Sequence, residues 1–224
     1  SIRVLRHGRS GHYDHGGALE WMAAEDDSRL PSLYAHPDAF YPRFRRENGA
    51  LKRISIPSAD GSEAPWPKRV SSKEPQQLLP ELWLSGEIQP RHPEEKDAAE
   101  FLIDRGEGPQ PDPFLDDQAL FAETRSGVII LTGCAHSGLI ATVERVLALS
   151  SRRKVQALIG GFHLESASQK RMDWTLSALK QWKIPLIVPM HCTGFEATRQ
   201  LKNAFPETVR TLGAGERIDI DDRR

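Results

Sequence analysis

Cysteine is scarce in this chain: Cys134 and Cys192 are the only two among 224 residues. Two thiols cannot build a disulfide framework, which excludes the stapled secreted folds and makes a reducing compartment, the cytoplasm, the expectation. Charge of one sign is lacking as well. The 30 Lys and Arg against 31 Asp and Glu leave a net charge of −1, so neither nucleic acid nor an anionic membrane is an electrostatically favoured partner. No apolar run approaches the roughly 20 residues needed to cross a bilayer, and no basic-then-apolar leader opens the chain. Repeats of fixed period and low-complexity tracts are missing too. The sequence starts at Ser1 without a methionine, which suggests a truncated or processed chain.

What the chain does contain is a recurrent pattern. Four short apolar runs end in glycine or proline and then histidine: "IRVLRHGRSGHYDH", "GVIILTGCAH", "VQALIGGFH" and "IPLIVPMHC". Runs of this length, rich in Val, Ile and Leu, read as buried strands. The pattern therefore places His12, Asp14 and His15, then His136, His163 and His191, just beyond strand ends, where sites assemble in sheets covered by helices. Imidazoles and a carboxylate on one rim suit one or two divalent ions, zinc first, with iron or manganese as alternatives.

Between these runs the two halves differ. After a first strand over Ile2–Leu5 and a helix over Ala18–Glu25, residues 26–77 carry Pro, Ser, Gly and charge with only brief apolar runs. Such a stretch reads as an irregular insertion over a functional face. "LPELWLSGEI" reads as one strand. The second half alternates strand and helix: a hairpin over 119–131, a helix with Leu139, Ile140, Val143, Val146 and Leu147 on one face, a strand over 155–159, a helix bearing Met172, Leu176 and Leu179, and a strand over 186–188. "TGFE" has the form of a capping box opening a last helix, and "ERIDI" alternates like a final strand. The class is α/β with a layered core.

"GHYDHGG", "DDQAL", "TGCAHSG", "IGGFHL" and "VPMHCTG" together resemble the metallo-β-lactamase superfamily, whose signature is HxHxDH. More narrowly, they resemble its branch named after 7,8-dihydropterin-6-yl-methyl-4-(β-D-ribofuranosyl)aminobenzene 5′-phosphate synthase. The resemblance spans essentially the whole chain and is sharpest from Asp116 to Gly215. It implies an αββα sandwich in one domain, 1–224, without its leading strands. It implies that His12 and His136 bind a first metal and that Asp14, His15 and His191 bind a second. His163 stands where many members place a bridging Asp, and either ligates or contacts substrate. The first His of the signature falls on Ser10, a poor ligand, with His7 as a substitute three residues earlier.

An intact site implies a metal-dependent enzyme in which Asp14 orients the nucleophile or accepts a proton. The reaction is then hydrolysis of an ester or phosphoester, or a pterin-pathway condensation on a ribofuranosylaminobenzene phosphate-like substrate. Ser137–Gly138 and Thr193–Gly194, at expected helix starts, offer amides to a phosphorylated small molecule, with ordinary capping as the alternative. Cys134 and Cys192 read as small packed residues, zinc ligation being the second reading. Arg43, Arg45 and Arg46 with Tyr41 and Phe44 read as a solvated basic-aromatic loop. Missing strands would expose an edge and an apolar face, which favours homo-oligomers. The rival to an enzyme is a degenerate or truncated remnant that binds a metal or a partner chain.

Overall fold

The computed structural model describes residues 2–4 (backbone only), 32–55, 69–95, 100–213 and 215–220. They fall into two compact units, one of residues 1–74 with 97–117, the other of residues 75–96 with 118–224.

In the first unit, β1 (Ile2–Val4), β2 (Ser32–Ala35) and β5 (Arg69–Ser71) form a parallel sheet in the order β1-β2-β5. An antiparallel sheet runs β4-β3-β8-β9, with β3 (Arg43–Glu47), β4 (Ala50–Arg53), β8 (Phe101–Ile103) and β9 (Gln110–Pro111). Most of the described part of 26–77 is therefore sheet and turn rather than irregular chain. Strand β4, "ALKR", is exposed throughout, and β3, "RFRRE", is partly buried around a charged Arg43, so no apolar alternation marks either. The basic-aromatic loop is corrected with them. Arg45 lies over the Phe101 ring at 5.6 Å and pairs with Glu47 and Glu100. Arg43 is fully buried, 2.9 Å from Asp112 and 2.8 Å from Asp116, and donates to the Asp38 carbonyl. Such a buried guanidinium is tolerated only because carboxylates compensate its lost hydration.

The second unit holds a six-stranded sheet in the order β13-β12-β11-β10-β7-β6. Its antiparallel part comprises β6 (Gln76–Leu79), β7 (Leu82–Leu84), β10 (Leu120–Glu123) and β11 (Val128–Thr132). "LPELWLSGEI" is thus a hairpin turn and one strand, because Pro80 cannot donate to a ladder and breaks the run. The parallel part runs from β11 through β12 (Val155–Gly161) to β13 (Leu186–Met190). Strand β12 is buried along nearly its whole length, as expected of a central strand with few polar side chains.

Among the described residues are three α-helices: α1 (Leu139–Leu149), α2 (Gln169–Trp182) and α3 (Phe195–Ala204). Leu139, Val143 and Val146 of α1, Met172 and Leu179 of α2, and Ala197 and Leu201 of α3 share one core with Phe121, Val128, Ile130, Leu158 and Ile187 of the sheet. Ser168 caps α2, accepting from the Arg171 amide at 3.2 Å. The expected capping box at α3 does not form. Gly194 is the N-cap and makes no side-chain bond, because the Thr193 hydroxyl is engaged with the Phe162 amide and the Met190 carbonyl instead. Residues 216–220, expected as a strand, lie outside any sheet: Arg217 pairs with Asp219 and the Glu216 carboxylate turns back to the Gly213 amide. No helix among the described residues is long and apolar enough to cross a membrane.

Candidate metal centre

Strands β11, β12 and β13 are parallel neighbours, so their C-terminal ends share one edge of the sheet. The loops leaving that edge carry His136, His163 and His191. Three non-glycine residues in these loops adopt left-handed backbone: Ala135 at φ 47°, His163 at φ 50° and His191 at φ 46°. Each such residue costs on the order of 1–3 kcal/mol and persists only where its surroundings over-determine it. Cross-loop hydrogen bonds do so here. The Gly161 amide donates to the Gly133 carbonyl at 3.0 Å, the Leu164 and Glu165 amides donate to the Cys192 carbonyl at 3.2 and 3.3 Å, and the Phe162 amide donates to Thr193 Oγ1 at 3.1 Å.

Two groups of side chains meet there. The His136 and His163 rings lie 4.2 Å apart between centroids at 56°. His136 is buried, and Arg91 fixes its loop by donating to the carbonyls of His136 at 2.9 Å and Ser137 at 3.1 Å. The second group is Cys134, His191 and Cys192, whose potential ligand atoms lie within 4.8 Å of one another. Cys192 as a thiol donates to the Cys134 carbonyl across 3.6 Å. A hydrogen bond with the Cys134 side chain, and then the hydrogen bond and charge of His163, bring the Cys192 thiol down to about 5 against the upward push of burial. His163 thereby links the two groups. Imidazole nitrogens with a thiol disposed to ionise are a donor set that fits a divalent ion of borderline softness.

No family model matches the sequence. The 7,8-dihydropterin-6-methyl-4-(β-D-ribofuranosyl)-aminobenzene-5′-phosphate synthase of Methanocaldococcus jannaschii is 32% identical over 227 residues, covering 96% of this chain and 74% of that protein. The chain belongs to that synthase's family. An uncharacterized protein of the same organism is 30% identical over 203 residues, 88% of this chain and 71% of its own length. A crystal structure of a metal-dependent hydrolase of the β-lactamase superfamily matches with a TM-score of 0.76 at 19% identity, over 98% of this chain and 79% of that one. The last comparison shows the fold: the mixed α/β fold of the metallo-β-lactamase superfamily.

Of the residues expected in a metallo-β-lactamase site, the fold brings His136, His163 and His191 to one edge. His7, Ser10, His12, Asp14 and His15 lie outside the described residues. Of the amides expected to receive phosphate, that of Gly138 donates to the Ala135 carbonyl at 3.0 Å. The Glu95 carboxylate, from a distant loop, accepts from the Ile140 amide at 2.8 Å and the Ala141 amide at 3.0 Å. It takes the first-turn donors of α1 beyond Ser137 and Gly138. Only glycine fits at 138, where φ is 110° and a Cβ would overlap that carboxylate. The Gly194 amide returns to the His191 carbonyl at 3.3 Å. Sequence reading missed Arg91, Glu95 and the closeness of the two cysteines. For the cysteines a signal existed, since each stands within two residues of a strand-end histidine. For Arg91 and Glu95 there was none, because their partners in the His136 loop and α1 are 45 or 46 positions away in sequence.

Proposed function

We propose that this chain is a metal-dependent enzyme for a small phosphorylated substrate, and that it condenses a dihydropterin with a ribofuranosylaminobenzene phosphate, as its relative's name describes. The convergence of His136, His163 and His191 at one sheet edge, on loops with left-handed backbone, is the observation that carries this reading. The sequence likeness to the synthase favours condensation over hydrolysis, because the hydrolase resembles this chain only at the level of fold.

In this reading His12 and His136 would hold one ion and Asp14, His15 and His191 a second, with His163 either ligating or contacting substrate. An ion bound there supplies Lewis acidity and lowers the pKa of water toward ~7. The remaining work belongs to the chain. Asp14 orients the nucleophile or accepts its proton. The Arg91 clamp on the His136 loop holds that imidazole in place, and the buried His136 side chain restricts water on its side of the centre. Ser10, where the signature has histidine, favours one other reading, a remnant that binds metal without turnover.

The test is direct. Protein loaded with zinc, iron(II) or manganese is incubated with an activated ester of 6-hydroxymethyl-7,8-dihydropterin and 4-(β-D-ribofuranosyl)aminobenzene 5′-phosphate, and products are read by mass spectrometry. A metal-dependent condensed product, lost in His136→Ala and His191→Ala, is the expected result. Hydrolysis of model phosphodiesters without condensation would replace this reading by the hydrolase one. Bound metal with neither activity would leave the remnant.

A further inference from the structure

The Cys134–His191–Cys192 group has a chemistry of its own. We infer that these three side chains form a thiolate–imidazole site for a thiophilic divalent ion, zinc in the first instance. Donors bound to one zinc at about 2.0–2.3 Å lie roughly 3.3–3.8 Å from one another. The three atoms already fall within 4.8 Å, so small side-chain rotations bring them into range.

The backbone keeps room for this approach. Gly161, at the end of β12, faces Cys192, and a Cβ there would stand 2.7 Å from the sulfur and 3.2 Å from the Cys134 Cα. The paired amides of Leu164 and Glu165 hold the Cys192 carbonyl and so fix the turn that carries the sulfur. Burial is graded across the group: Cys134 is buried, Cys192 half-buried and His191 exposed. An ion therefore has its route to the sulfurs past His191. Two thiolates select for zinc over manganese, which prefers oxygen donors. Binding turns the pair into a dithiolate complex and releases to solvent whatever protons the thiols still carry. Three protein donors leave a fourth position for a water. This site shares only His191 with the histidine–aspartate set proposed above and does not depend on the reaction assigned there.

The full chain, purified under reductant without chelator and then stripped, is titrated with Co2+. We expect a strong near-ultraviolet sulfur-to-cobalt charge-transfer band that saturates at about one equivalent and is displaced by zinc. The band weakens by roughly half in Cys134→Ser and in Cys192→Ser and vanishes in the double variant, as thiolate donors are lost one by one. Zinc affinity falls by ~100-fold or more in each single variant, since loss of even an outer-shell partner costs ~10–100-fold. If the buried Cys134→Ser chain folds poorly by circular dichroism, the half-buried Cys192→Ser decides alone. Cobalt uptake without the band, unchanged zinc affinity in Cys192→Ser, or recovery of the pair as a Cys134–Cys192 disulfide under reductant would overturn the site. Any of these would leave the histidine–aspartate centre standing. A full band in a chain without turnover would sink the proposed reaction and keep the sulfur site.

Discussion

At the scale of single residues, the same few positions carry both strain and chemistry. Ala135, His163 and His191 adopt backbone that side-chain-bearing residues rarely take, and each sits in or beside the histidine cluster. Strain of this kind is retained where geometry at a site matters more than local stability. Phe195 adds a feature of the opposite kind. It follows the His191–Gly194 turn directly and is 85% exposed, so its ring offers a face to a flat ligand. In the proposed condensation a pterin ring would be such a ligand. Replacing Phe195 by alanine is therefore expected to leave stability within about 0.5 kcal/mol of the parent and to raise KM for the pterin substrate by roughly 2- to 10-fold, the value of one ring–ring contact. Steady-state kinetics alongside urea unfolding separate the two effects. An unchanged KM would mean that the ring is not part of the pocket.

At the scale of elements, the helix starts explain most of what holds the loops. Helix α2 uses a local serine, whereas α1 relies on Glu95, more than 40 positions earlier in the chain, for the amides of Ile140 and Ala141. Burial pushes the Glu95 carboxyl above its ordinary 4.5, partly opposed by those two amides and by the charges of Arg171 and His92. A carboxyl raised in the folded state binds its proton more tightly there than in the unfolded chain. Its contribution to stability is thus fully present below about pH 4.5 and is lost as pH rises through the folded-state value. Glu95→Gln, which does not titrate, should show a flatter pH dependence of the urea midpoint above pH 4.5 than the parent. It should also be less stable throughout, since the amide NH2 cannot accept from a backbone donor. Parallel curves for the two proteins would exclude Glu95 as the titrating group.

At the scale of the whole molecule, the proposed metal binding is coupled to folding. The candidate ligands come from the ends of three strands, so no preformed site exists in the unfolded chain. An ion at 100 times its dissociation constant stabilises the native state by about 2.7 kcal/mol. In a chain of this size that corresponds to a thermal midpoint higher by roughly 5–10 °C. Zinc-loaded and chelator-stripped samples compared by calorimetry should differ by that much, and the gap should narrow as pH falls and the imidazoles and thiols take up protons. Identical midpoints at saturating zinc would argue against any tight site.

Much of this molecule is legible from residue pattern alone, for a physical reason. Buried parallel strands must be continuously apolar and must end where a turn residue stops the ladder, so β11, β12 and β13 and the histidines beyond them stand out in the text. The amphipathic faces of α1 and α2 are equally plain, and the motif set already pointed to the family that the comparisons establish. The strands β3 and β4 were illegible, because β4 is exposed along its length and β3 buries the charged Arg43, so neither shows apolar alternation. The failed capping box has a similar origin. Thr193 had local partners on paper, and tertiary contact supplied the Phe162 amide instead. The clearest decision left to the tertiary structure concerns Cys134 and Cys192. Fifty-eight residues separate them, and only the side-by-side pairing of β11, β12 and β13, with a glycine at 161 to admit the sulfur, brings both thiols to His191.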